Sequence, residues 1–140
     1  MPYAALIDSG PLVAAAARRD RHHSAAIAFL EGFRAPLLTT WAVLVEACHL
    51  MPRHAVVPFL QWVAAGGVGV AEMPPAAVGP MAELMRRYAD LPMDLADASL
   101  VWLADELGIQ DVVTFDRRDF AVYRLADGRR FRNLLVARNR

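Results

Sequence analysis

The chain has 140 residues, 56% hydrophobic and 21% charged, a balance that fits one globular domain around a single core and excludes a disordered chain. Its formal net charge is zero, so no overall field draws it to nucleic acid, and any phosphate contact must come from a local positive cluster. The single cysteine, Cys48, excludes an intramolecular disulfide.

The basic residues are all arginine, which suits bidentate phosphate contacts, although the codon bias of a GC-rich genome explains the usage more economically. The start of the chain lacks the basic-then-apolar pattern of a secretory signal, and the expected location is cytoplasmic. The stretch from Ala55 to Ala71 falls short of the roughly 20 apolar residues needed to span a bilayer. It reads as a core helix, a glycine turn and a buried strand, so no membrane association is expected.

In chain order, strand-length apolar runs fall at Tyr3 to Ile7, Pro36 to Leu38, Val68 to Ala71 and Asp111 to Phe115, with a weaker one at Phe131 to Val136. Helical patterns cover Pro11 to Ala17, Ser24 to Glu31, Trp41 to Leu50, His54 to Ala65, Ala76 to Tyr88 and Leu95 to Leu107. Thr40 and Asp94 stand where helices start; Gly32, Gly66 and Gly108 stand where helices stop. Strands alternating with helices imply crossover connections, hence an α/β fold with a parallel sheet covered on both faces, formed by one domain over residues 1–140.

Four acids sit at the edges of apolar segments: Asp8, Glu46, Asp97 and Asp116. Asp8 and Asp116 fall at the carboxyl ends of expected strands, where open α/β sheets bind ligands. Asp8, followed by Ser9-Gly10-Pro11, also fits a helix cap. Glu46 lies in a helix so apolar that an unpaired carboxylate there costs several kcal/mol; it needs either an arginine or a metal ion. Asp94 and Asp97 share a first helical turn, with Asp94 reading mainly as the N-cap and Asp97 divided between dipole complementation and metal binding.

Thr114 lies two residues before Asp116 and, in an extended segment, points to the same side, where it can orient a carboxylate or a water. Beyond it, Asp119 and Arg118 read as solvated loop charge, while Arg117 can hold a phosphate. Ser9 lacks a Gly-x-Ser-x-Gly elbow, so it is an accessory candidate and not a nucleophile.

If these acids converge they need a cation, because two unit charges about 4 Å apart repel by about 4 kcal/mol at an effective dielectric near 20. Hard oxygen ligands select Mg²⁺ or Mn²⁺ over Zn²⁺, and His22, His23, His49 and His54 show no zinc spacing. Gly66-Gly67-Val68-Gly69 leads into a strand instead of opening a helix, so no dinucleotide or triphosphate loop is supported. A haloacid-dehalogenase-type phosphatase wants a second aspartate two residues after Asp8, where this chain has Gly10. The arginines from Arg117 to Arg140 form the one notable basic concentration, suited to phosphate contact or to a plain solvated surface. Trp41, Trp62 and Trp102 lie in apolar helical patterns and read as core or dimer-face residues.

The order of these motifs resembles that of PIN-domain ribonucleases, particularly the short VapC-like toxins of toxin-antitoxin pairs. The carriers are Leu6-Ile-Asp-Ser-Gly-Pro-Leu-Val13, Glu46, Asp94-Leu-Ala-Asp-Ala98 and Val113-Thr-Phe-Asp-Arg-Arg-Asp-Phe120, and the likeness spans nearly the full chain. The resemblance implies a three-layer α/β/α sandwich with a small twisted parallel sheet. It assigns Asp8, Glu46, Asp97 and Asp116 as catalytic metal-binding acids, with Asp94, Thr114 and Ser9 as accessories. It further implies Mg²⁺-dependent endoribonuclease activity leaving a 5′-phosphate, a homodimer, and inhibition by a small VapB-like antitoxin covering the cleft. The alternative is a non-catalytic binding module whose acidic cleft accepts a partner's arginines.

Overall fold

The structure, a computed structural model, describes residues 4–137. Strand β1 (Ala5–Ile7) is wholly buried, so its backbone groups need ladder partners on both sides. Leu6 pairs in parallel with Leu38 of β2 (Leu37–Thr40) and with Val112 of β4 (Asp111–Val113). With β3 (Gly69–Ala71) beside β2 and β5 (Arg132–Asn133) beside β4, the sheet has five parallel strands in the order β3-β2-β1-β4-β5.

The order reverses at β1: the chain leaves it for β2 on one flank, and returns to the other flank only with β4. Such a switch point opens a crevice at the carboxyl ends of the two strands. The connecting helices are α1 (Ser9–Ala16), α2 (His23–Gly32), α3 (Trp41–Leu50), α4 (Arg53–Ala64), α5 (Val78–Arg87), α6 (Leu95–Leu107), α7 (Arg117–Val122) and α8 (Leu134–Ala137). Helix α1 packs on α2, α3 and α4, and α6 on α5 and α3, making the three-layer α/β/α arrangement. Leu6, Ile7, Leu12, Val43, Leu100, Val101, Val112 and Val113 are among the fully buried residues at its centre.

Helices α3 and α6 run over the expected residues because their ends are chemically marked. Thr40 accepts a hydrogen bond from Val43 N (3.2 Å), and Asp94 accepts one from Asp97 N (2.8 Å). Gly108 ends α6 in the left-handed region (φ 67°), a conformation that costs other residues a steric penalty.

Elsewhere the structure departs from expectation. Strand β4 stops at Val113, since the Thr114 hydroxyl captures Asp116 N (2.9 Å) and turns the chain. The strand expected at Phe131 to Val136 is reduced to β5, because Asn133 Oδ1 accepts from Leu135 N (3.1 Å) and starts α8. The helix expected from Ala76 begins as a 3-10 turn at Pro75–Ala77 before α5.

The segment from Ala55 to Ala71 is not a core helix and buried strand. Only Ala55 and Phe59 of α4 are buried, and β3 is an edge strand with Gly69 exposed. Of the tryptophans, Trp102 packs against the core, whereas Trp41 is 64% and Trp62 36% exposed, so a core role fails for Trp41. The expected strand residue Tyr3 and the arginines Arg138 and Arg140 lie outside the described residues. No helix among the described residues is long and apolar enough to cross a membrane.

Candidate metal centre

The site at the carboxyl ends of β1 and β4 is built around a buried hydroxyl. Asp8 follows β1, its N-H bonded to Val113 O (3.0 Å), and its carboxylate caps α1 by accepting from Ser9 N (2.8 Å). The helix-cap reading of Asp8 is therefore what the backbone shows. The other oxygen, Oδ2, accepts from Thr114 Oγ1 (2.8 Å), which in turn accepts from Asp116 N. Thr114 thus fixes the carboxylate that follows β1 and the backbone of a second acid beyond β4. Asn133 holds Thr114 from behind, donating from Nδ2 to its carbonyl (3.0 Å).

Asp116 opens α7 as its N-cap, accepting from Asp119 N (3.0 Å). Asp119 is therefore a half-buried helical residue and not solvated loop charge. Asp97, Asp116 and Asp119 each offer a carboxylate oxygen within 4.8 Å of the others. Asp97 does not use its side chain as a cap; its Oδ2 accepts from the Tyr123 hydroxyl (2.8 Å).

Glu46 stands slightly apart. No arginine answers it among the described residues; Ser9 Oγ donates to its Oε1 instead, and Asp94 lies beside it. Asp94 is the exposed N-cap of α6, as its position suggested. Arg117 is exposed at the first position of α7, next to Asp116. Several other arginines of the basic stretch have internal duties: Arg124 donates to the carbonyls of Ala121, Val122 and Tyr123, Arg129 pairs with Asp127, and Arg132 grips buried Asp111 at 2.6 and 2.9 Å.

Crowded acids resist ionisation. Burial, then the charge of Asp8, pushes Asp97 up to about 8. Burial, with Asp94 and Asp8 nearby, pushes Glu46 up to about 7 against the opposing Ser9 hydrogen bond. Burial also raises Asp8 and Asp119, the latter helped by Asp116. The Tyr123 hydroxyl is held protonated by burial and by its bond to Asp97, so it donates.

A divalent cation fits this donor set. The oxygens are hard, those of Asp97, Asp116 and Asp119 converge from α6 and the start of α7, and none of Asp8, Glu46, Asp97, Asp116 or Asp119 has a salt-bridge partner among the described residues. Asp119 was expected to be solvated loop charge instead of a site residue, and Asn133 and Tyr123 were not expected to reach the acids at all. The spacing Asp116-Arg-Arg-Asp119 is an N-cap signature that reveals the first. No local pattern marks the other two.

An acid-lined switch point on a small parallel sheet in this order is the arrangement to set beside known proteins. In particular, over 130 residues the chain is 27% identical to Ribonuclease VapC26 of Mycobacterium tuberculosis, covering 90% of this chain and 96% of that one. Its fold matches the crystal structure of Mycobacterium tuberculosis VapC20, a Sarcin-Ricin loop cleaving toxin, with a TM-score of 0.75 and 19% identity over 83% of this chain and 92% of that one. No family model matches the chain. Both likenesses agree with the family that the motif order resembled, the second at the level of the fold.

Proposed function

We propose that the chain is a Mg²⁺- or Mn²⁺-dependent endoribonuclease, the toxin of a toxin-antitoxin pair, acting as one domain in the cytoplasm. The convergence of Asp97, Asp116 and Asp119, with Asp8 held behind them by Thr114, carries this reading. Its full-length likeness to a ribonuclease of the VapC class supports it.

Asp97, Asp116 and Asp119 offer oxygens close enough to share a cation, and we assign Asp8, whose charge acts on Asp97, to the same ion, with Glu46 at the edge of the acidic field. A bound divalent ion supplies Lewis-acid activation of water and charge neutralisation on the phosphodiester. The protein's own task is placement. Thr114 orients Asp8, Ser9 orients Glu46, and exposed Arg117 is positioned to contact a phosphate beside the acids. An RNA with unpaired segments is the substrate form, since a splayed backbone enters a crevice that a duplex does not. A homodimer and a small VapB-like antitoxin are the partners of this reading.

Asp97→Asn tests it. The variant should fold and lose Mg²⁺-dependent RNA cleavage, and mapping of RNA 5′ ends after brief induction should show a discrete set present only with the wild type. Unchanged cleavage by the folded variant refutes the mechanism. Stoichiometric partner binding without turnover in either metal marks a binding module instead.

A further inference from the structure

Tyr123 is fully buried (0% exposed), yet its hydroxyl reaches the acid cluster. Its ring is gripped edge-on by Tyr88 and Phe120, with centroids 5.0 and 5.1 Å away, and Phe120 packs in turn against Phe131 at 5.5 Å. A phenol wedged on two sides has little freedom to swing away. Its hydroxyl donates to the Asp97 carboxylate at Oδ2, and the same carboxylate offers an oxygen to the cluster with Asp116 and Asp119.

The same residue closes α7: its backbone N-H donates to Asp119 O (3.0 Å). One tyrosine is therefore bonded through its side chain to the acid of α6 and through its backbone to an acid of α7. Asp97 is held at both ends, its backbone by Asp94 and its carboxylate by Tyr123. The spacing between the α6 acid and the α7 pair then depends on the length and rigidity of a packed ring, not on a solvated loop.

The geometry points to Tyr123 as a positioning residue for the metal centre: it orients the Asp97 carboxylate and sets its distance from Asp116 and Asp119, so that the cation meets a preformed donor set. This rests on the proposed metal-dependent nuclease reading. Partners that orient metal-binding carboxylates typically change metal affinity by about 10- to 100-fold when removed.

The test compares Mn²⁺ affinity, by calorimetry on metal-free protein, for wild type, Tyr123→Phe and Tyr88→Phe. Tyr123→Phe deletes only the hydroxyl, and Tyr88→Phe deletes a neighbouring hydroxyl whose partner is Arg124 N, away from the acids. Tyr123→Phe should weaken Mn²⁺ binding about 10-fold or more, raise the Mg²⁺ concentration for half-maximal cleavage by a similar factor, and recover most of its rate at saturating Mg²⁺. Tyr88→Phe should bind Mn²⁺ as the wild type does. Should Tyr123→Phe not fold, carbon NMR of the labelled tyrosine hydroxyl carbons in the wild type replaces it, with Tyr123 shifting on Mg²⁺ addition while Tyr88 stays fixed. Unchanged Mn²⁺ affinity in folded Tyr123→Phe, or a Tyr123 signal indifferent to Mg²⁺, overturns the proposal alone. Absence of Mn²⁺ binding by the wild type overturns the metal reading and the proposal with it.

Discussion

At the scale of single residues, the site depends on small hydroxyls as much as on carboxylates. Thr114 is completely buried and both donates to Asp8 and accepts from Asp116 N. Deleting one partner of a buried hydrogen bond typically costs about 1–3 kcal/mol, because the remaining group is left without water or partner. Thr114→Val keeps the shape and removes both bonds, so it should lower unfolding free energy by about that amount. Urea denaturation checks this, with Thr114→Ser as the comparison that keeps the hydroxyl and loses only a methyl group. A valine variant as stable as the serine variant shows that the hydroxyl contributes nothing. Thr114 was legible because alternation places it on the side of Asp116, and a threonine there has an obvious acceptor. Tyr123 was not, since its role depends on a contact with Asp97 across 26 positions of sequence.

At the scale of elements, what the sequence revealed follows from how strongly each end is marked. Helices α3 and α6 carry a capping oxygen at the start, and α6 a left-handed glycine at the end, so their limits needed no tertiary information. Helix α7 has six residues, too few for apolar periodicity to show, and the preceding apolar run suggested a longer strand. Tertiary context decided the rest: α4 lies at the surface and β3 at an edge, although their composition suggested burial.

Asp116 is the N-cap of α7 and a proposed ligand of the cation, and substitution separates the two roles. Asparagine caps a helix about as well as aspartate, whereas alanine loses about 0.5–2 kcal/mol. Both Asp116→Asn and Asp116→Ala remove the same charge from the cluster. The alanine variant should therefore unfold more easily than the asparagine variant by about 1 kcal/mol, while both lose metal-dependent cleavage. Equal stability of the two variants denies the cap; retained cleavage in the asparagine variant denies Asp116 a metal role.

At the scale of the molecule, neutrality conceals a polarised charge distribution. Acids converge at the switch point, and several basic residues beyond it are engaged in holding α7 and β5. Metal-free protein keeps Asp97 and Glu46 protonated to about 8 and about 7, well above the ordinary carboxylate range in which they ionise when unfolded. Linkage gives the direction: a folded pKa raised above the unfolded one contributes stability that is complete at acid pH and is lost as pH rises toward the folded pKa. Without metal, the contribution of these two acids should therefore fall between about pH 4 and pH 8, the opposite of the usual paired carboxylate. A cation reverses the preference, since it binds the ionised carboxylates and adds stability through mass action. Melting curves in chelator and in saturating Mg²⁺ should diverge as pH rises, with Mg²⁺ raising Tm more at pH 8 than at pH 5. Asp97→Asn removes the highest of these acids from the titration, so it should flatten the metal-free decline and shrink the Mg²⁺ effect together. Parallel curves for the wild type across this range show that the acids are not coupled to a common cation.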